Sequence, residues 1–462
     1  MGQAIRTTKL LLHLGRRDQG GANTAKRAAL DATIRVLTQA RAFYIDFFLA
    51  HADKLAERIP YYSEKHLEMR ERAISANELL TWAEACTVET AAHPHPWEGW
   101  NFSARFPAMP LLYRRSVIKD AIGKVRSYLT QQARWEKSGK HKGKPGLPGA
   151  TDHPTLYQGS YELILEEAKG ADRFVRLKVY DGHTWQWVNY PVKCSRYFQQ
   201  RQQDPAWEQD SPLLVLTRRA AALHFPQTRQ VQAKKVKESK LDPDLVTVAV
   251  DLNVKNLAVI TVRSHHKIIE TVFVTDHGLD QQRYRHLRRI AKKQWLSGKA
   301  VAGEHSNQHL WRHVRRMNED AARKVACSIA RVCAKYPGCV LLFERLRKIR
   351  PSRASKSRRT NRKQANQLRG KINRYAREKA FLAGTVTVEV NPQGTSQYCS
   401  RCERLGERFS YRAGSRVKER WGKLFWCPHC HYEANADFNA SANGHHSFFQ
   451  EYHWKLRPNR SG

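Results

Sequence analysis

Residues 246–262 have the sequence VTVAVDLNVKNLAVITV, in which β-branched and apolar residues are interrupted by Asp251 and a short polar turn. The part before the turn is typical of a strand that is buried on both faces and ends on an acid. A second strand follows the turn, and Lys267–Val274 has the pattern of a third. The stretch therefore predicts a three-strand meander with Asp251 at the end of its first strand.

Two further acids occupy comparable positions later in the chain. The sequence CVLLFE at residues 339–344 predicts another buried strand, which ends on Glu344, and helical periodicity over roughly 280–336 precedes it. The sequence NADFNASAN at residues 435–443 places Asp437 at the start of a helix. Two acids at strand ends and one on a helix, far apart in sequence, are the arrangement of the RNase H-like fold.

This arrangement suggests a particular chemistry. Hydrolysis of a phosphodiester with two Mg²⁺ ions needs clustered hard oxygen ligands that bridge and flank the metals. Carboxylates packed together in a basic protein are costly unless cations lie among them. We therefore expect Asp251, Glu344 and Asp437 to be metal-binding catalytic acids. The alternative is that each acid only caps an element or pairs with an arginine.

The nine cysteines fall into two groups. Four of them form the pairs Cys399-Ser-Arg-Cys402 and Cys427-Pro-His-Cys430, with 24 residues between the pairs. Four thiolates in this pattern predict a closed, tetrahedral structural zinc site that contributes folding free energy directly. A redox-active CxxC is the alternative, but it would not need a second pair. The remaining five are expected to be reduced, buried side chains: Cys86, Cys194, Cys327, Cys333 and Cys339.

The charge of the chain indicates its partners. Its 462 residues include 81 Lys and Arg against 42 Asp and Glu, a net charge of +39. Self-repulsion on this scale destabilises a compact chain unless a polyanion cancels it, and nucleic-acid phosphates are the usual partner. No stretch reaches the roughly 18 apolar residues of a membrane span, and the N-terminus does not resemble a secretory signal. We expect a cytoplasmic nucleic-acid-binding protein with no membrane partner.

The N-terminal half has a different pattern. Residues 5–15 predict one strand, and helical periodicity then dominates residues 21–135. The basic, Gly- and Pro-rich segment 137–150 predicts a linker. Period-two alternation in residues 155–235 predicts a small β-barrel or sheet, which the N-terminal strand is expected to join.

Several of these motifs together resemble a known family. VDLNVKNLA at 250–258 and FERL at 343–346 are similar to the first two nuclease motifs of TnpB proteins. TSQYCSRC at 395–402 resembles the entry to that family's zinc ribbon. FWCPHC at 425–430 and NADFNA at 435–440 resemble the ribbon's exit and the third nuclease motif. TnpB is the transposon-encoded ancestor of the type V CRISPR effectors, and miniature effectors share its plan.

The resemblance implies a multidomain α+β protein. It would contain an RNase H-like (RuvC) α/β nuclease domain with an inserted zinc ribbon, a wedge β-barrel domain and a helical recognition domain. It implies two Mg²⁺ ions bound by Asp251, Glu344 and Asp437. It also implies one Zn²⁺ bound by the four paired cysteines. The expected boundaries are 1–20 for the first wedge strand, 21–150 for recognition, 151–245 for the wedge, 246–394 for the nuclease, 395–434 for the ribbon, 435–447 for the last nuclease helix and 448–462 for the tail.

The implied function is that of an RNA-guided DNA endonuclease. It would bind a guide RNA and a double-stranded target DNA beside a short flanking motif, while base pairing selects the sequence. A monomer is favoured over a homodimer, and association with the nucleoid is expected when DNA is bound. The alternatives are an RNA-guided protein that blocks transcription with little or no cleavage, a transposon-encoded DNA-binding accessory, and an unguided junction resolvase.

The sequence departs from the family pattern at two turns where glycine is common. Asn253 lies two residues after the first aspartate, and His431 follows the last cysteine. Asparagine tolerates the left-handed backbone conformation that a tight turn can require. We expect both turns to keep the family geometry.

Overall fold

The computed structural model describes residues 2–14, 22–64, 67–139, 143–150, 153–164, 173–218, 220–253, 256–298, 307–346, 368–411, 415, 418–420 and 422–449. These residues form two compact units: the N-terminal unit, within residues 5–229, and the C-terminal unit, residues 2–4 with the described residues of 230–449. The basic segment that follows Glu344, residues 347–367, and most of the predicted tail lie outside the described residues.

Five helices form the helical part of the N-terminal unit, as far as the structure describes its residues. They are α1 (Ala22–Ala50), α2 (Ala52–Ala56), α3 (Ala76–Thr87), α4 (Phe102–Arg105) and α5 (Leu111–Lys137). The apolar faces of the two long helices pack on each other, with Leu37 and Tyr44 of α1 and Val117 of α5 fully buried. Helix α3 begins at a capping box, in which Ser75 and Glu78 satisfy each other's backbone N–H groups.

A β-hairpin that the sequence did not predict lies within the predicted helical region, residues 21–135. Its strands are β2 (Arg58–Ser63) and β3 (Glu68–Ala73), which pair antiparallel. Every residue of β3 is exposed, and β2 buries little more than Ser63. The hairpin has no buried face, so its sequence has no period-two apolar pattern from which it could be predicted.

A seven-stranded sheet completes the N-terminal unit. Its strands are β1 (Gly2–Leu12), β4 (Tyr161–Ile164), β5 (Phe174–Tyr180), β6 (Trp185–Lys193), β7 (Glu208–Gln209), β8 (Leu213–Leu216) and β9 (Ala221–Val231). The order is β4-β5-β6-β1-β9-β7, with β8 also paired to β9. The N-terminal strand therefore joins the sheet as predicted. Helix α6 (Arg196–Gln203) was not predicted, because it buries only Phe198 and has no apolar period.

The C-terminal unit is built on a five-stranded sheet. Its strands are β10 (Thr247–Asp251), β11 (Asn256–Arg263), β12 (Ile268–Thr275), β13 (Val340–Glu344) and β14 (Val386–Val390). Their order is β12-β11-β10-β13-β14; the first three form the predicted antiparallel meander, and the last two run parallel to β10. The prediction of a multidomain α+β protein is confirmed.

Helices cover both faces of this sheet. They are α7 (Val236–Lys240), α8 (Leu279–Leu296), α9 (Gln308–Lys335), α10 (Arg369–Leu382) and α11 (Ala436–Phe449). Val248 and Val250 of β10 point into the core under α9 and α10, whereas Ala249 points into the core under α11. This alternation buries all five residues of β10, which explains the continuous apolar run in the sequence.

A small lobe lies between β14 and α11. Its strands are β15 (Glu407–Tyr411), β16 (Lys418–Arg420), β17 (Leu424–Trp426) and β18 (Glu433–Asn435), in the antiparallel order β16-β15-β17-β18. Phe425 and Tyr432 pack with Cys399 and Cys427 in a core of a few side chains. A core of this size is too small to fold without a further source of stability.

None of the helices in the described part of the chain is both long and apolar enough to cross a membrane.

Candidate catalytic and metal centres

The parallel pairing of β10 with β13 brings two of the candidate acids to one edge of the sheet. In this register Val250 is opposite Phe343, so Asp251 and Glu344 are the next residues on adjacent strands. The carboxyl ends of neighbouring parallel strands are where α/β sheets place their sites. Two acids separated by 92 residues of sequence therefore lie side by side.

Helix α11 brings the third acid to the same edge. Asp437 is in its first turn, and the side chain of Asn435 accepts hydrogen bonds from the backbone N–H groups of Asp437 and Phe438 at 2.9 and 3.3 Å. The helix packs closely on β10, since a Cβ added at Gly444 would lie 2.9 Å from the Cβ of Ala249. The absence of a side chain at Gly444 allows this close approach.

The charges of the three acids act on one another. Burial, and then the charges of Glu344 and Asp437, raise the pKa of Asp251 to about 8. Burial also raises the pKa of Glu344, although a hydrogen bond from Thr395 and the charge of Arg369 oppose the shift. Ionised carboxylates are thus disfavoured at this edge unless positive charge is added. The donor set and its electrostatics fit a divalent cation.

Two neighbours donate hydrogen bonds to the strand-end acids, and the charge of a third residue acts on both. The side-chain amide of Asn253 donates to Oδ2 of Asp251 at 2.6 Å, and the hydroxyl of Thr395 donates to Oε1 of Glu344 at 2.7 Å. The guanidinium of Arg369 donates to the carbonyl oxygen of Leu252 at 3.1 Å, and its charge lowers the pKa of both acids. Asn253 does not adopt the left-handed backbone conformation that was considered for this turn, and its side chain donates to Asp251 instead.

Sequence reasoning did not assign a role to Thr395 or Arg369. In the sequence, Thr395 is noticed only as the first residue of the TSQYC motif. Arg369 is one of the many arginines of the chain. The TSQYC motif could have drawn attention to Thr395. No local signal distinguishes Arg369, because its neighbours Asp251 and Glu344 are distant in sequence.

The four paired cysteines come together in the small lobe. Their Sγ atoms lie within 4.8 Å of one another, with Cys399 to Cys430 at 3.6 Å and Cys402 to Cys427 at 3.4 Å. These distances are far longer than the roughly 2.05 Å of a disulfide and close to the roughly 3.8 Å edge of a tetrahedron with Zn–S bonds of about 2.3 Å. The four sulfurs therefore fit a zinc ion.

The backbone around the second pair supports this geometry. His431, after the last cysteine, has φ +53°, so it adopts the left-handed conformation that the turn was expected to need. Although burial opposes it, hydrogen bonds from the backbone N–H groups of Cys430 and His429 lower the pKa of the Cys427 thiol to about 7. A thiol that ionises near neutral pH is suited to metal binding.

The two candidate centres are assembled to different degrees. Among the residues that the structure describes, the four cysteines are the one set whose ligand atoms converge within 4.8 Å. The three acids are near enough for their charges to interact, but they do not converge as closely. This difference is the one expected from repulsion between carboxylates.

Comparisons with known proteins identify relatives of both halves of the chain. A family model described as the Aq_aa04 family matches residues 20–181, and one described as the Cas12f1-like TNB domain matches residues 370–443. A TnpB-like protein of Aquifex aeolicus, aq_aa05, is 35% identical over 225 residues, which are 46% of this chain and 70% of that protein. An uncharacterised protein of the same organism, aq_aa04, is 33% identical over 162 residues, 34% of this chain and 88% of the relative.

Solved structures share the fold at low sequence identity. The Cas12f1–sgRNA–target DNA complex, solved by cryo-EM, matches with a TM-score of 0.51 and 13% identity, over 91% of this chain and 81% of that one. The mini-RNA-guided endonuclease CRISPR-Cas_phi3 matches with a TM-score of 0.57 and 10% identity, over 97% and 93% of the two chains. The AacC2c1–sgRNA–extended non-target DNA complex matches with a TM-score of 0.60 and 9% identity, over 98% and 91%.

Proposed function

Because this chain belongs to the TnpB and miniature type V effector family, we propose that it is an RNA-guided DNA endonuclease. In this proposal Asp251, Glu344 and Asp437 are the catalytic acids and form a RuvC-type centre. The observation that carries the proposal is the register of β10 and β13, which makes Asp251 and Glu344 neighbours at one sheet edge.

The sheet supports the assignment of a nuclease domain. An antiparallel meander followed by two parallel strands, with an acid at the end of the first and fourth strands, is the plan expected of an RNase H-like domain. Helix α11 supplies the remaining acid from the far end of the sequence. The raised pKa of Asp251 is the electrostatic reason for a cation here, because a bound cation would favour ionised acids.

We propose Mg²⁺ as that cation, with two ions at the centre. Bound there, Mg²⁺ would activate the attacking water and stabilise the leaving 3′ oxygen. The protein's own residues supply the positions: Asn253 orients Asp251, Thr395 orients Glu344, and the capped first turn of α11 holds Asp437. The guanidinium of Arg369 adds fixed positive charge beside the acids. Such preorganised charge favours a transition state with an extra negative charge.

The four cysteines hold a structural Zn²⁺ in this proposal. Zinc would supply the folding free energy that the small core of the lobe lacks. The lobe is then the target-nucleic-acid-binding domain expected from the family model that matches residues 370–443.

The partners are a guide RNA and a double-stranded DNA target. Two solved relatives were determined with an sgRNA and DNA, and the present chain has a net charge of +39 that polyanions would neutralise. We propose that residues 21–150 and the wedge formed by 1–20 and 151–245 bind these nucleic acids. The protein would act as a monomer in the cytoplasm, on nucleoid DNA.

The test is to purify the protein from a host that expresses its native locus and to sequence the RNA that remains bound. The particle is then incubated with Mg²⁺ and a plasmid library in which random bases flank the matched target. We expect one defined RNA and cleavage that requires a particular flank. A defined RNA with protection of the target but no cleavage would leave only guided binding, and the absence of a defined RNA would overturn the proposal.

A further inference from the structure

We propose that Thr395 is a positioning residue that couples the zinc site to Glu344, so that zinc occupancy raises the affinity of the carboxylate centre for divalent cations. The inference rests on the proposed function in taking the three acids to be cation ligands. The observation behind it is a chain of hydrogen bonds from Glu344 to the two residues that flank Cys399. We call residues 398–402 the first knuckle.

The first link joins Thr395 to Glu344. The Thr395 hydroxyl lies 2.7 Å from Oε1 of Glu344 and 3.0 Å from the carbonyl oxygen of Pro392. A hydroxyl has one proton, and an ionised carboxylate is the stronger acceptor. Thr395 is only 3% exposed, so water competes little for this bond. The bond restrains the Glu344 carboxylate, and ligands held in this way bind metals more tightly.

The second link holds Thr395 to helix α11. The side-chain amide of Asn443 donates to the carbonyl oxygen of Thr395 at 2.8 Å and to that of Tyr398 at 2.7 Å. Asn443 is fully buried, and its two N–H protons serve both acceptors at once. One side chain thus joins the residue that contacts Glu344 to the residue before Cys399.

The third link fixes the first knuckle itself. Asn439, one turn earlier on α11, accepts a hydrogen bond from the backbone N–H of Ser400 at 2.9 Å and donates to the carbonyl oxygen of Tyr398 at 2.8 Å. Both chain neighbours of Cys399 are therefore held by the helix whose first turn carries Asp437. One buried network positions the first knuckle and the acids together.

Zinc occupancy would act through this network. Four thiolates gathered on one ion restrain the first knuckle further, whereas without the ion only the hydrogen bonds to α11 hold it. Movement of Tyr398 would withdraw one acceptor of Asn443, loosen Thr395 and weaken the hydrogen bond to Glu344. Asp251 provides a contrast, since its donor Asn253 lies two residues away and does not depend on the first knuckle.

The experiment compares four variants of the full-length chain, loaded with zinc and free of RNA. Thr395→Val removes the hydroxyl and keeps the shape of the side chain, while Thr395→Ser keeps the hydroxyl. Thr387→Val is the matched control: its hydroxyl is buried on β14 and has no hydrogen-bond partner in the described part of the chain. Asp251→Asn removes a proposed ligand, so a Mn²⁺ site that this variant loses is assigned to the carboxylate centre. The measurement is the Mn²⁺ dissociation constant by electron paramagnetic resonance.

We expect Thr395→Val to weaken this Mn²⁺ binding by roughly 10- to 100-fold, the usual loss when a partner of a metal ligand is removed. Thr395→Ser and Thr387→Val should bind as the parent does. Removal of zinc with a chelator should weaken Mn²⁺ binding by the parent but add little to the defect of Thr395→Val, because the link is already broken. In cleavage assays the variant should need more Mg²⁺ for half-maximal rate and recover at high Mg²⁺.

Two outcomes overturn the inference alone: parent-like Mn²⁺ affinity in Thr395→Val, or an equal loss in Thr387→Val, which would indicate a packing defect. A different result would show that the proposed function fails, and not only this inference. If Asp251→Asn removes no Mn²⁺ site, the carboxylates do not form a metal centre, and both the proposed function and this inference fail.

Discussion

Asp251→Asn should stabilise the metal-free protein at neutral pH, although it removes the residue proposed to be essential for cleavage. The folded protein raises the pKa of Asp251 from 3.8 to about 8 through burial and the charges of Glu344 and Asp437. Each tenfold difference in proton affinity corresponds to about 1.4 kcal/mol, so keeping this acid buried at pH 7.5 costs up to about 5 kcal/mol. Asparagine has no such cost, and its side-chain oxygen can still accept from Asn253.

The sign of the pH dependence follows from the direction of the shift. Between pH 4 and pH 8 the folded state of the parent holds more protons at Asp251 than the unfolded state does, so its free energy of unfolding falls as pH rises. The advantage of Asp251→Asn is therefore absent near pH 4 and largest near pH 8. A stabilisation of about 2–5 kcal/mol would raise the melting temperature by roughly 5–15 °C for a unit of this size.

The assay is thermal unfolding of the C-terminal unit in the full chain, followed from pH 4 to pH 8 in buffer without added Mg²⁺. Asp244→Asn is the control, because it removes the same charge from an exposed side chain near the start of β10. Added Mg²⁺ should raise the melting temperature of the parent and leave that of Asp251→Asn unchanged. An Asp251→Asn variant that melts at or below the parent at pH 7.5 would refute this electrostatic account of the centre.

Three further predictions concern the zinc lobe, the packing of α11 and the charge. Cys430→Ser should abolish stoichiometric zinc binding and make the small lobe protease-sensitive, measured by metal analysis and limited proteolysis; retention of tight zinc would contradict a four-cysteine site. Gly444→Ala should destabilise the C-terminal unit by about 1–3 kcal/mol in melting experiments, because its Cβ would lie 2.9 Å from that of Ala249. The control Gly370→Ala has open space around the new Cβ and should be neutral or slightly stabilising. Affinity for single-stranded RNA, measured by filter binding, should fall steeply with salt, by roughly 300-fold or more between 50 and 200 mM for an interface of at least six phosphate contacts. A flat salt dependence would contradict a role for the +39 net charge.

The sequence predicted the elements whose apolar pattern reflects their burial. Strand β10 is buried on both faces, so its continuous apolar run and the acid at its end were visible without a structure. The CxxC pairs were equally visible, because metal ligands at a fixed spacing are a local feature. Here the sequence was enough to identify candidate residues for both centres.

Helix α11 was predicted, but the burial of its polar side chains was not. It has the composition ADFNASANGHHSFF, with several polar residues and no continuous apolar stripe, yet the structure buries Asn439, Asn443 and His445. Each of the three finds a partner from another element: Ser400 for Asn439, Thr395 for Asn443 and Thr247 for His445, the last at 2.7 Å. Burial of polar groups depends on such partners, which only the folded chain brings together.

The contacts among the acids were unpredictable for the same reason. Thr395 lies 51 residues from Glu344 in the chain, and Arg369 lies 117 residues from Leu252. No period or local motif encodes these pairs, because they arise from how β13, β14 and α10 pack. The structure therefore adds the residues that position and neutralise the acids.

Single-turnover cleavage of a labelled duplex by the purified protein–RNA particle tests the proposed endonuclease activity directly. The parent and Asp251→Asn are each given Mg²⁺ and a DNA target that either matches or mismatches the bound RNA. We expect cleavage with 5′-phosphate ends only by the parent on the matched target, while the variant still binds that target. Cleavage that survives Asp251→Asn, or that ignores the match to the RNA, would contradict it.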